Sequence, residues 1–119
     1  MPQIDASWWI AVQALVGATR IVIDRPAGTA HPRFPDTVYP LDYGYLADTN
    51  GGDGSGIDVW LGSSKSHELR GAVCCVDRSK GEIETKLLLG CTEEEIEIVR
   101  RFHSEGEQSA LVLRPPAVA

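Results

Sequence analysis

Asp53 and Asp58 bracket a glycine-rich bend in the segment GGDGSGID, and such a bend can swing both carboxylates toward one point. Carboxylates are hard oxygen donors, and magnesium in particular takes one or two of them together with water and phosphate oxygens. The spacing excludes two other uses of the segment. An EF-hand begun at Asp48 would put Asp53 where the glycine belongs and Val59 where the closing glutamate is needed. A dinucleotide-binding loop needs glycines at a fixed spacing that open a helix, and these do not. By spacing alone the segment also fits a plain glycine-rich hairpin. A second charged group follows at Glu82 to Leu89, where a period of two places Glu82, Glu84 and Lys86 on one face and Ile83, Thr85 and Leu87 on the other. The sequence holds no GxSxG elbow, CxxC pair or HExxH, which removes the usual serine, redox and zinc chemistries.

The elements that must position these groups can be read along the chain. Asp5 and Ser7 are candidate caps for a short amphipathic helix over residues 1–17 with Trp8, Val12, Leu15 and Val16 at helical spacing. Thr19 to Asp24 is a β-branched run halted by Arg25-Pro26-Ala27-Gly28, so a strand enters a turn there. Pro32, Pro35 and Pro40 disfavour regular pairing and predict an ordered loop with a short extended piece at Thr37 to Tyr39. Short strands are expected at Tyr43 to Leu46, Ile57 to Leu61, Leu69 to Val76, Glu82 to Leu89 and Ser109 to Arg114. Thr92 followed by Glu95 is a capping box, and Ile96, Val99 and Phe102 carry a helix on to about Ser104. Short strands with helices confined to the two ends predict a mainly β, α+β fold: a small five-stranded OB-like barrel, closed or partly open, with an N-terminal helix and one near the C-terminus.

At 119 residues the chain has room for one hydrophobic core, so residues 1–119 read as a single domain. Eleven basic residues against 17 acidic ones give a formal charge of −6, with no basic stripe, which excludes nucleic acid as a partner. No apolar stretch reaches membrane-span length and no leader is evident, so a soluble, cytoplasmic protein with no membrane contact is expected. Cys74, Cys75 and Cys91 form neither a disulfide framework nor a metal clip. His31, His67 and His103 lack ligand spacing; His31, among turn residues beside Arg33, is the one to test.

The run YPLDYGYLADTNGGDGSGIDVWLG resembles the soluble, family I inorganic pyrophosphatases, whose pattern is a YPxNYGY-like segment followed by a DGDPxDV-like one. The resemblance extends more weakly to VIDRPAG and to DRSKGEIETKL, covering roughly residues 19–90. It implies a barrel of OB type, divalent metal, pyrophosphate or a related small phosphoanhydride as substrate, and a homo-oligomer. It also implies roles for residues of this chain. Asp53, Asp58 and Glu84 would hold the principal Mg2+, and Asp77 would join Glu84 or Asp24 around metals that arrive with substrate. Lys86 and Tyr43 would touch phosphate oxygens. Arg33, with Arg25 as second candidate, would supply the phosphate-binding arginine.

The departures from the family's pattern bear on mechanism. Ser55 stands where the family's middle aspartate deprotonates the attacking water, and a hydroxyl can hold a water but cannot take its proton near neutral pH. The family's loop lysine and glutamate have no counterpart between Ala27 and Pro35, and its tyrosine-lysine pair is replaced near Phe102, His103 and Ser104. The expectation is therefore a magnesium-dependent hydrolase, slow or altered by Ser55. The alternative is a noncatalytic pyrophosphatase-like domain that binds metal or phosphate.

Overall fold

A computed structural model describes residues 6–117. Asp5, one of the two candidate helix caps, lies outside the described residues. The elements run α1 (Ala6–Ala18), β1 (Ile21–Arg25), β2 (Asp42–Leu46), β3 (Asp58–Leu61), β4 (Leu69–Asp77), β5 (Glu82–Leu89), α2 (Glu93–Phe102) and β6 (Gln108–Leu113). The strands form one six-stranded sheet in the order β1-β2-β3-β5-β4-β6. This corrects the expected five-stranded barrel: among the described residues all six strands read along the chain join one sheet, and it is open, with β1 at one end of the order and β6 at the other. The short extended piece expected at Thr37 to Tyr39 is present, as a single antiparallel bridge from Ala30 to Val38. The prolines around it deny the loop the donors of a longer ladder.

Every pairing is antiparallel except that of β3 with β5, which is parallel with Val59 opposite Leu87 and Trp60 opposite Leu88. Because side chains alternate along a strand, this register sorts the sheet into two faces. Val59, Leu87 and Leu89 belong to a core with Trp9 and Val16 of α1. Trp60, Leu88 and Val73 belong to a second core with Ile96 and Val99 of α2 and with Tyr39. The two helices thus cover opposite faces.

The α2 cap is formed as the spacing requires: Glu95 N–H donates to Thr92 Oγ1 at 3.1 Å, and Thr92 N–H donates to Glu95 Oε1 at 2.9 Å. Three glutamates in its first turn lie at the favourable end of the helix dipole. In α1, Trp9 is buried whereas Trp8 is 44% exposed, its ring meeting Trp9 edge-on at 4.8 Å. Exposed Ile10 and Leu15 make α1 apolar around most of its girth rather than amphipathic as expected. Among the described residues no helix is long and apolar enough to cross a membrane.

Candidate active site

The α2 face of the sheet carries the charged residues beyond the edge of the apolar core. Antiparallel register sets Tyr43 opposite Trp60 and Tyr45 opposite Asp58. Across β4 and β5, Val73 faces Lys86, Cys75 faces Glu84 and Asp77 faces Glu82. The parallel step from Val59 to Leu87 then brings Asp58 beside Lys86, although 28 positions separate them. A cavity of about 840 Å³ opens over these residues. Asp24, Arg25, Tyr43, Asp53, Ser55 and Asp58 line it, as do Asp77, Glu84 and Lys86. All the sequence-predicted site residues except Arg33 therefore share one cavity. Arg33 is not among its lining; its backbone N–H donates to His31 Nδ1 at 3.0 Å.

Two local irregularities aim side chains into the cavity. A register shift between Ile23 and Arg25 in the β1–β2 ladder lets both Asp24 and Arg25 line it, where adjacent residues of a regular strand would point apart. The glycine bend takes positive φ at Gly52 (97°) and Gly54 (87°), a region that favours glycine. Asn50 Oδ1 accepts from Gly52 N–H at 2.7 Å, and Asp53 Oδ1 accepts from Ser55 N–H at 2.9 Å, so the bend is fixed by its own side chains. Asp42, the first residue of β2, accepts from Ala27 N–H at 2.8 Å.

Lys86 is the electrostatic centre. It is 5% exposed, donates to Tyr43 Oη at 2.6 Å and to Asp58 Oδ2 at 3.1 Å, and lies 3.7 Å from Glu84 Oε2. Burial opposes its charge, but Tyr43 and the two carboxylates outweigh burial and the ammonium pKa is raised. Burial likewise pushes the Tyr43 phenol up against the opposing pull of Lys86, so it stays protonated. Asp77 is held low, first by the Ser79 hydroxyl at 2.6 Å and also by the Ser79 and Lys80 N–H groups, all on Oδ1.

The carboxylates share a cavity without forming a cage. Among the described residues no three histidine, cysteine, aspartate or glutamate side chains stand close enough to hold one ion together. The convergence expected of Asp53, Asp58 and Glu84 reaches only this far, and a lysine ammonium sits between two of them.

Sequence reasoning missed the inner wall. His103, 7% exposed, accepts at Nε2 from the Trp60 indole N–H at 3.1 Å, and burial followed by the nearby Lys86 charge lowers its pKa to about 4. Tyr39, Trp60 and Phe102 pack ring against ring beside it, with centroids 5.3–5.8 Å apart. Arg25 lies over the Tyr39 ring at 5.4 Å and donates to its hydroxyl. Lys80 also lines the cavity, from the turn between β4 and β5. The available signal for His103 was its place three turns along α2, in step with buried Ile96 and Val99.

Comparison with solved structures gives the fold its class. The chain resembles an inorganic pyrophosphatase from Neisseria gonorrhoeae over 85% of either chain, with a TM-score of 0.66 and 17% identity. An inorganic pyrophosphatase from Coxiella burnetii matches with a TM-score of 0.56 and 15% identity, over 77% of this chain and 81% of that one. One from Helicobacter pylori matches at 0.54 and 16%, over 79% and 81%. The fold is that of the soluble inorganic pyrophosphatases. The sequence itself matches no protein-family model and no curated protein.

Proposed function

We propose that the chain is a magnesium-dependent hydrolase of inorganic pyrophosphate or a related small phosphoanhydride, slowed by Ser55. The observation that carries this reading is the buried Lys86 ammonium, fixed by Tyr43 and Asp58 in a cavity that Asp24, Asp53, Asp77 and Glu84 also line. A permanently charged, immobile donor of this kind binds phosphate oxygens without reorganising.

The donor set suits Mg2+, which needs only one or two direct carboxylates and completes its shell with water and phosphate oxygens. Asp53 and Asp58 would hold it, and Glu84, Asp77 and Asp24, which line the same cavity, would bind it through water. When bound, the ion supplies charge neutralisation on the phosphates and acidification of water. The chain's own residues do the rest. Lys86 and Tyr43 orient one phosphate, Arg25 binds another from the β1 bulge, and the Ser55 hydroxyl holds the water without accepting its proton. A homo-oligomer is part of the same reading, since exposed Trp8 and Leu15, two turns apart on one side of α1, form an apolar strip that a second copy would cover.

A second reading, a noncatalytic domain that binds metal or phosphate, is favoured by Ser55 together with the absence of a three-ligand ion cage among the described residues. Phosphate release from pyrophosphate by the purified protein, with and without magnesium, separates the two. Magnesium-dependent release is expected. Binding of pyrophosphate without any release would establish the second reading instead.

A further inference from the structure

Bare pyrophosphate has no apolar atom, yet one wall of this cavity is aromatic. His31, Phe34, Tyr39, Tyr43 and Phe102 all line it. Its volume of about 840 Å³ lies toward the upper end of the roughly 300–1,000 Å³ typical of sites for organic ligands.

The outermost part of that wall is a lip formed by the loop between β1 and β2. His31 and Phe34 meet there with ring centroids 5.0 Å apart, and the His31 ring lies nearly parallel to Tyr39, at 13° and 6.2 Å. Phe34 is 54% exposed, so its own core does not need it. The lip is nevertheless ordered by its backbone. Gly28 N–H donates to Tyr39 O and His31 N–H to Thr37 O, both at 2.8 Å, and Tyr39 N–H donates to Thr29 O at 2.9 Å. Thr37 N–H closes the turn onto Phe34 O at 2.8 Å. Burial, followed by the charges of Arg25, Lys80 and Arg33, lowers the His31 pKa, which keeps the ring neutral. The His31 and Phe34 rings are tilted by 44°, so exposed Phe34 offers a face for stacking at the cavity mouth while His31 flanks it.

The charges agree. Three cations, Arg25, Lys80 and Lys86, line the cavity against six carboxylates. A diphosphate with one end esterified carries less charge than pyrophosphate and asks for fewer cations.

We propose that the substrate of this site is a diphosphate monoester bearing a flat ring, of the nucleoside diphosphate class, with its anhydride at Lys86 and its ring on Phe34 beside His31. This rests on the hydrolase reading above. In the reaction, water oxygen forms a bond to the terminal phosphorus and the bridging P–O bond breaks. The ester phosphate leaves with the electron pair, and the products are a phosphate monoester, inorganic phosphate and one proton released to solvent.

The test compares phosphate release from ADP, pyrophosphate and isopentenyl diphosphate, which has the anhydride but no ring, in the presence of magnesium. ADP should give the highest kcat/KM. Phe34→Ala should lower the ADP-to-pyrophosphate ratio of kcat/KM about tenfold, in the range expected for loss of one stacking partner, and Phe34→Trp should restore it. Circular dichroism confirms that each variant is folded. Equal use of ADP and isopentenyl diphosphate, or an unchanged ratio in Phe34→Ala, would overturn the proposal. If no compound is hydrolysed, the hydrolase reading fails while the substrate class is decided by calorimetric binding. Tighter binding of ADP than of pyrophosphate, weakened about tenfold by Phe34→Ala, supports the ring site, and equal binding overturns it.

Discussion

Replacing His103 by glutamine should flatten the pH dependence of stability between about pH 6.5 and about pH 4. In the folded protein His103 is buried beside Lys86, and its pKa falls from 6.5 to about 4, first through burial and then through that charge. As pH drops through this window the unfolded chain takes up a proton that the folded chain refuses, so the equilibrium moves toward the unfolded state. The contribution is full above about pH 6.5 and gone below about pH 4. At about 1.4 kcal/mol per pH unit, the gap amounts to about 3 kcal/mol. Glutamine preserves an acceptor for the Trp60 indole N–H, whose burial without a partner would itself cost about 1–3 kcal/mol and obscure the result. Urea unfolding followed by tryptophan fluorescence at about pH 7 and about pH 4.5 reads the effect. The wild-type midpoint should fall by on the order of 1–2 M more than that of His103→Gln. The lowered carboxyls of Asp77, Glu95 and Glu97 remain in both proteins and act at lower pH. Identical midpoint shifts in the two proteins would refute the reasoning, because His103 would then titrate alike folded and unfolded.

Ser55→Asp should raise pyrophosphate turnover at least about tenfold, since general-base assistance is typically worth about 100 to 10,000-fold, while Asp58→Asn should abolish both metal binding and phosphate release. An unchanged rate in Ser55→Asp, with tighter magnesium binding by calorimetry, would make the new carboxylate a ligand rather than a base. Gly44→Ala should lower unfolding free energy by about 3 kcal/mol or more, because a Cβ there would overlap the Val22 carbonyl oxygen across the β1–β2 pair; a denaturation midpoint near wild type contradicts this. Acrylamide should quench Trp8 and leave Trp9 and Trp60 largely protected, giving a blue-shifted emission; water-like emission with full access to all three would contradict their burial.

Local signals in the sequence were read well. The Thr92–Glu95 box starts α2, and the period of two in β5 puts Glu84 and Lys86 on the cavity side as alternation demands. All six strands are legible one by one, but their order in a single open sheet is not, because strand pairing depends on register between distant segments, which periodicity does not encode. Arg33 is offered only by the resemblance, and the turn at Phe34–Thr37 helps decide which loop side chains face inward. The Lys86–Asp58 bond was not foreseen, because the expected arrangement placed an ion among carboxylates that the folded chain partly neutralises itself. His103 escaped because its partner, Trp60, lies 43 positions away on another element.

The parallel pairing of β3 with β5 has a kinetic consequence. Asp58 and Lys86 meet only after the chain has closed a loop that includes all of β4, the kind of non-local closure that slows folding. On the proposed reading, a ligand present from the start of refolding lacks its Lys86 contact until β5 has docked, and its full association rate is capped by the rate of folding. On that reading, recovery of ligand affinity would serve as a clock for β5 docking, and a nascent chain not yet extended through Lys86 would lack the ammonium that anchors it.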